Sequence, residues 1–264
     1  MAGSLCDYAE DAMIDDILGT TSLPAVTPYL GLHIGDPTDT GAGGTGEVSG
    51  TNYIRKAITF AAPGSRAVVQ SADVNFDQVG AGGWGTVTHY QIYDAATAGN
   101  PIGNGALSSS LLISENDSPT VASGEVDITI SANGCSTYLA HAILNHLFRA
   151  TAYTEPTIYL ALCSAAILDA DGGGDITELT MTDYVRLAHA AWDASSGGAS
   201  ENTGAATWAT ALTGSGQTIE AFALTDALTA GTGNVLFYNN TISQALASGN
   251  TPRFIDGALD ITLD

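Results

Sequence analysis

The sequence predicts a mainly β protein built as two tandem copies of an antiparallel β-sandwich or small barrel, each preceded by one amphipathic α-helix. Three observations carry this expectation. The two halves of the chain align with each other, each half opens on a run of helical period, and each then changes to short runs of period two between turn residues.

The alignment comes first because it sets the domain count. Leu5, Tyr8, Ala12, Ile14 and Leu18 have counterparts 130 positions on in Cys135, Tyr138, Ala142, Leu144 and Phe148, and Tyr29-Leu30-Gly31-Leu32 matches Tyr159-Leu160-Ala161-Leu162. EVSGTNYIR, residues 47–55, matches ELTMTDYVR, residues 178–186, at an offset of 131. Phe76 with Trp208, Val87 with Ile219 and Asp94 with Asp226 follow at 132, and Pro119 with Pro252 and DITI (127–130) with DITL (260–263) at 133. An offset that drifts by so little means that loops have changed by single insertions. The boundary falls in ISANG, which gives domains at 1–133 and 134–264. The short linker predicts that the copies touch.

In the first copy Leu5, Tyr8, Ala12, Met13 and the Ile17-Leu18 pair fall at helical spacing, with acids opposite and Gly19 as a stop. The second copy repeats this with Leu139, Ile143, Leu144, Leu147 and Phe148. Strands follow in TPYLGLHI, NYIRKAITF, RAVVQSADVNF, TVTHYQIYD and VDITI. The glycine-rich stretch 35–50 reads as an exposed connection with a flexible centre, and 163–180 is its counterpart.

Composition restricts the function. The chain has 264 residues, with 28 acidic against 6 basic side chains and a formal net charge of -22. A polyanion would be repelled, so nucleic-acid binding is not expected, whereas a basic protein partner, divalent cations or a saline setting would suit this surface. No apolar run approaches the roughly 20 residues of a membrane span. The acidic start MAGSLCDYAEDAMIDD does not read as a secretion signal. Cys6, Cys135 and Cys163 are odd in number and widely spaced, which offers neither a disulfide framework nor a zinc ribbon.

Motifs for catalysis are missing. There is no GxxxxGK[ST] phosphate loop and no GxSxG elbow, and His141 and His146 lie five apart on a helix, on different faces. No enzyme and no cofactor are expected. Asp169, Asp171 and Asp175, on a glycine-rich loop, form a candidate Ca²⁺ site, with a solvated turn as the alternative. Glu47 with Arg55 and Glu178 with Arg186 recur at the same separation in a chain poor in basic residues, so each pair is expected to be a structural ion pair that pins the glycine-rich loop. Trp84, His89, Tyr90 and Tyr93 cluster about one strand, either as core or as an exposed platform for sugar stacking.

The first copy also resembles a known family. Tyr29-Leu30-Gly31-Leu32-His33-Ile34-Gly35-Asp36-Pro37, Glu47-Val48-Ser49-Gly50, Tyr53-Ile54-Arg55-Lys56, Trp84-Gly85-Thr86-Val87-Thr88-His89-Tyr90 and Ile92-Tyr93-Asp94-Ala95 occur in the order found in small tailed-phage proteins described as tail-fibre or minor tail proteins, some suspected of decorating the capsid. The second copy keeps YLAL, Glu178, Tyr184 and Arg186 but lacks the Asp-Pro and has TIEAFALTD for TVTHYQIYD. The resemblance implies a virion structural protein, assembled in the host cytoplasm, whose partners are other virion proteins. The leading expectation is a tail component (fibre, fibre adaptor or tail-tip accessory); capsid decoration and a glycan-binding module are the alternatives. A homotrimer of the duplicated chain would give pseudo-sixfold symmetry, matching the rings of six in phage particles.

Overall fold

The computed structural model describes residues 3–40, 46–132 and 134–263. The first copy runs β1 (Ser4–Leu5), α1 (Asp7–Ile17), β2 (Tyr29–His33), β3 (Lys56–Ala57), β4 (Ala67–Val69), β5 (Val74–Asn75), β6 (Gly85–Tyr93), β7 (Pro101–Ile113), β8 (Thr120–Val121) and β9 (Asp127–Thr129). The second runs α2 (Thr137–Arg149), β10 (Tyr159–Cys163), β11 (Leu187–Ala188), β12 (Ala199–Glu201), β13 (Ala206–Thr207), β14 (Gln217–Ile219), β15 (Ala221–Thr225), β16 (Val235–Asn239), β17 (Gln244–Leu246), β18 (Arg253–Phe254) and β19 (Asp260–Thr262).

The duplication is visible in the strand pairing. One five-stranded sheet has the order β1-β7-β6-β2-β3, and the four-stranded β11-β10-β15-β16 repeats its centre. Tyr29 pairs with Tyr93 in the first, and Tyr159 with Thr225 in the second. The small ladders β4-β9 and β5-β8 recur as β12-β19 and β13-β18, and β14-β17 matches the far end of the long β6-β7 hairpin. Each named pair is antiparallel.

Local chemistry sets the helices. Asp7 and Glu10 lie in the first turn of α1, where the helix dipole favours negative charge. Ser136 caps α2 by accepting the Leu139 N–H at 3.1 Å, and Ala150 ends it in the left-handed conformation. The face of α2 read from spacing is the buried one. On α1 the buried face is instead Ala9, Glu10, Met13, Ile14, Asp16 and Ile17, and Leu5 lies in β1. Tyr8 and Ala12, which the spacing set on that face, sit at its margin.

The two copies share one hydrophobic core, which joins Met13, Ile17 and Val68 to Leu147, Phe148 and Trp192. Contact between them is reciprocal. Helix α1 packs on β12 of the second copy, and α2 packs on β4 of the first. The Asp11 carboxylate accepts the N–H groups of Gly198 (2.8 Å) and Gly197 (3.2 Å) and the Ser195 hydroxyl (2.8 Å). Its counterpart 130 residues on, His141, accepts the Arg66 N–H at 3.4 Å. The acceptors face matching two-residue turns whose residues have positive φ, Ser65-Arg66 and Gly197-Gly198. Arg66 also donates to the carbonyls of Ile130 and Ser131 at the end of its own copy and crosses the boundary to the Cys135 carbonyl at 2.8 Å.

Such reciprocity is the property of an isologous contact, in which patch A meets patch B twice. A ring of six repeats needs head-to-tail contacts, so the intrachain interface does not supply the step of a pseudo-sixfold ring. The two copies within the chain therefore meet by like contacts in both directions.

The centre of the first glycine-rich stretch, read as flexible, falls on residues 41–45, outside the described residues. Its flanks are held, with the Ile34 N–H bonded to the Gly46 carbonyl at 3.1 Å and the Val48 N–H to the Leu32 carbonyl at 2.9 Å. No helix among the described residues is long and apolar enough to cross a membrane.

Candidate functional site

Two equivalent polar clusters sit where each glycine-rich loop returns to its sheet. In the first, Glu47 Oε1 accepts Arg55 Nε and Oε2 accepts Arg55 Nη2, both at 2.8 Å, a bidentate geometry that fixes both side chains. The Tyr53 hydroxyl donates to Glu47 at 3.0 Å while it accepts the Leu32 N–H at 2.8 Å. Arg55 also donates to the carbonyls of Ala95 and Ala98, and its guanidinium lies 3.2 Å from the centre of the Tyr93 ring. Arg55 therefore ties the loop after β2 to the turn after β6, and Tyr53 ties the same glutamate to strand β2.

The second cluster keeps the plan and buries it more deeply. Arg186 Nη2 lies 2.8 Å from Glu178 Oε1, and the two side chains are 0% and 8% exposed, against 11% and 26% for Arg55 and Glu47. Tyr184 bridges Glu178 and the Leu162 N–H as Tyr53 does in the first copy. Thr225 replaces Tyr93, and its hydroxyl accepts from Arg186 at 3.2 Å. The remaining guanidinium protons go to the carbonyls of Ala227, Thr232 and Gly173. A buried guanidinium demands this degree of satisfaction. Sequence reasoning named Tyr53 and Tyr184 only as part of the family pattern and gave them no role, although a tyrosine six residues after the glutamate in both copies was the signal.

Electrostatics in the first cluster separates its members. Burial raises the Glu47 carboxyl, but the hydrogen bonds and charge of Arg55 and the Tyr53 hydroxyl outweigh it and hold the group below the usual carboxylate range. Burial drives His33 down to about 4, against a smaller upward pull from Glu47. His33 Nε2 lies 3.1 Å from the Tyr93 oxygen, whose own proton goes to Gln91 Oε1 at 2.6 Å, so the imidazole carries its proton on Nε2.

The aromatic residues offered as a stacking platform are core. Trp84 is 6% exposed, Tyr90 0% and Tyr93 7%. Trp84 meets the edges of Tyr53 and Phe76 at 5.2 and 5.8 Å and donates its indole N–H to the Thr51 carbonyl. The Tyr90 hydroxyl donates to the Asp127 carbonyl at 2.7 Å, in a space kept open because residues 3 and 105 are glycines: a Cβ on Gly105 would overlap that hydroxyl. His89 is half-buried and bonded to Thr88 at 2.8 Å. The expectation of an exposed sugar platform is thereby corrected, because β6 is covered on both faces from Tyr90 to Tyr93.

The carboxylates of Asp169, Asp171 and Asp175 do not converge. Asp169 accepts the Tyr238 hydroxyl, Asp171 the Leu168 N–H at 2.9 Å and Asp175 the Gly172 N–H at 3.0 Å. The loop packs instead on 231–234, with the Gly173 N–H bonded to the Gly233 carbonyl and no room for a side chain at Gly173 beside the Thr232 carbonyl. Among the described residues no group of three or more His, Cys, Asp or Glu side chains is arranged to hold a metal ion. The three cysteines are free and buried, and burial pushes the thiols of Cys6 and Cys163 up to about 12, the opposite of an activated nucleophile.

The model of the family described as Podophage GP4 fiber I protein gp80 matches residues 4–129 and, a second time, residues 134–262. The chain belongs to the gp80 fibre-protein family. Membership makes it a phage structural protein of tail-fibre type, with the family domain present twice. No curated protein matches the chain. Both gp80 copies keep the cluster, so Glu47-Tyr53-Arg55 and Glu178-Tyr184-Arg186 are features of the duplicated scaffold.

Proposed function

We propose that the chain is a non-enzymatic tail component of a podophage particle, a fibre, fibre adaptor or tail-tip accessory, that acts through contacts with neighbouring virion proteins. The observation that carries this reading is the double match of the gp80 fibre model over nearly the whole chain. The shared core and reciprocal helix contacts fit the role, because they make the duplicated unit a stiff block suited to transmitting geometry along an appendage. The net charge of -22 favours basic partners within the particle.

Gold-labelled antibody against this chain, viewed on intact particles by electron microscopy, tests the reading. Label on the tail is the expected result. Label over the head would replace it with capsid decoration, and unlabelled particles would remove the virion role altogether.

A further inference from the structure

Strand β7 pairs with β1 only at Gly103 and Asn104. Beyond them its strand partner among the described residues is β6, in register at Ala106 and again from Leu111 to Ile113, with a register shift between that leaves Leu107 to Ser110 opposite Thr88. The stretch reads ALSSSLLI and holds neither a charged residue nor proline, while the bulge at Leu107 to Ser110, another guard of an open sheet edge, and the bond from the Ser108 hydroxyl to Glu125 confine the regular free edge to Leu111 to Ile113. Leu112 is 68% exposed and Leu111 37%.

Two contiguous grooves run between this edge and β8. One, of about 180 Å³, is lined by Leu107, Leu111, Val121 and Glu125; the other, of about 260 Å³, by Leu111, Leu112, Asp117 and Pro119. The second copy shows that the leucines are not part of the scaffold. Val87 pairs with Leu111 in the first copy, and the equivalent Ile219 pairs with Gln244 in the second, so Gln244 and Ala245 stand where the first copy has Leu111 and Leu112. The groove's charged lining residues, Asp117 and Glu125, are both acids. A second copy of a chain with net charge -22 would bring like charge to them, whereas a basic segment would complement them.

We propose that the free edge of β7, from Leu111 to Ile113, receives an extended basic segment of another virion protein. That segment adds as a strand, with apolar side chains against Leu107, Leu111 and Leu112 and basic ones toward Asp117 and Glu125. The inference rests on the structural role proposed above and names the chemistry of the partner.

Binding of a fluorescent (Lys-Val)₄ peptide to the full chain is the test. Controls are (Lys-Ser)₄, a backbone N-methylated (Lys-Val)₄, and the double variant L111Q/L112A, which copies the pair found in the second copy. The expected result is saturable binding of (Lys-Val)₄ that falls at least tenfold with each control peptide and with the variant, the variant keeping a wild-type circular dichroism spectrum. Equal binding of (Lys-Ser)₄ or of the N-methylated peptide would overturn strand addition, as would an unaffected double variant or no binding at all. Self-association of the chain that L111Q/L112A abolishes would make a second copy the occupant and also overturn the proposal. Tail label on particles combined with failed peptide binding would sink this inference alone and leave the tail role intact.

Discussion

The Asp11 carboxylate accepts the backbone N–H of Gly198 at 2.8 Å across 187 residues of sequence. Together with the Ser195 hydroxyl and the Gly197 N–H, it anchors α1 to the turn before β12. Hydrogen bonds to a charged group contribute about 1.5–3 kcal/mol. Asp11→Ala is therefore expected to lower the stability of the full chain by about 2 kcal/mol, read as a lower urea midpoint with unchanged slope. His141→Ala, which removes one bond of 3.4 Å, should cost less than about 1 kcal/mol. Equal losses from the two would contradict the asymmetry between the copies.

The twin ion pairs differ in burial, and their deletion should differ in cost. Arg186→Ala would leave the nearly buried Glu178 carboxylate without its ion-pair partner and take the guanidinium donor from four backbone or hydroxyl acceptors, a loss of about 3–5 kcal/mol. Arg55→Ala acts on a pair with more access to water, and about 1–2 kcal/mol is expected. The double change Arg186→Met with Glu178→Leu should recover part of the loss, because it also removes the buried charge. Chemical denaturation of the three variants beside the parent chain gives the comparison.

These two relationships were unequally legible in the sequence. Glu47, Arg55, Glu178 and Arg186 could be picked out because the spacing repeats while basic residues are scarce, so both copies carry one message. Asp11 and Gly198 could not, since nothing local says that a helix of one copy will dock on a turn of the other. The offset alignment identified which residues are equivalent but said nothing about how the copies meet, so the reciprocal docking of α1 on β12 and of α2 on β4 was not legible. Tyr90 and Tyr93 were ambiguous for a further reason. Period two marks a strand with one wet face, whereas β6 is covered on both faces at that end, a consequence of tertiary packing.

Acid should weaken the fold through His33. Its folded pKa is lowered to about 4 from an ordinary value of 6.5, so between these values the unfolded chain binds a proton that the folded chain refuses. Stability attributable to this residue is full above pH 6.5 and falls as pH drops toward 4, by up to about 3 kcal/mol. Urea midpoints measured at pH 7, 6, 5 and 4.5 should fall progressively. His33→Gln, with no proton to gain, should flatten that part of the slope, and an unchanged slope in the variant would assign the acid sensitivity to other groups.

The burial of the aromatic residues makes a spectroscopic prediction that separates core from platform. All three tryptophans, Trp84, Trp192 and Trp208, are 3–6% exposed, so native emission should lie at short wavelength with little acrylamide quenching, and both should change together on unfolding. Oligosaccharides added to millimolar concentration should leave the Trp84 signal unmoved, read in a chain where Trp192 and Trp208 are replaced by phenylalanine. Trp84→Ala should instead appear as a stability loss of about 3–5 kcal/mol, because it removes the ring that Tyr53 and Phe76 pack against. A sugar-dependent shift in Trp84 emission with the fold intact would show that the indole reaches a ligand, contrary to its place beneath the Thr51 carbonyl.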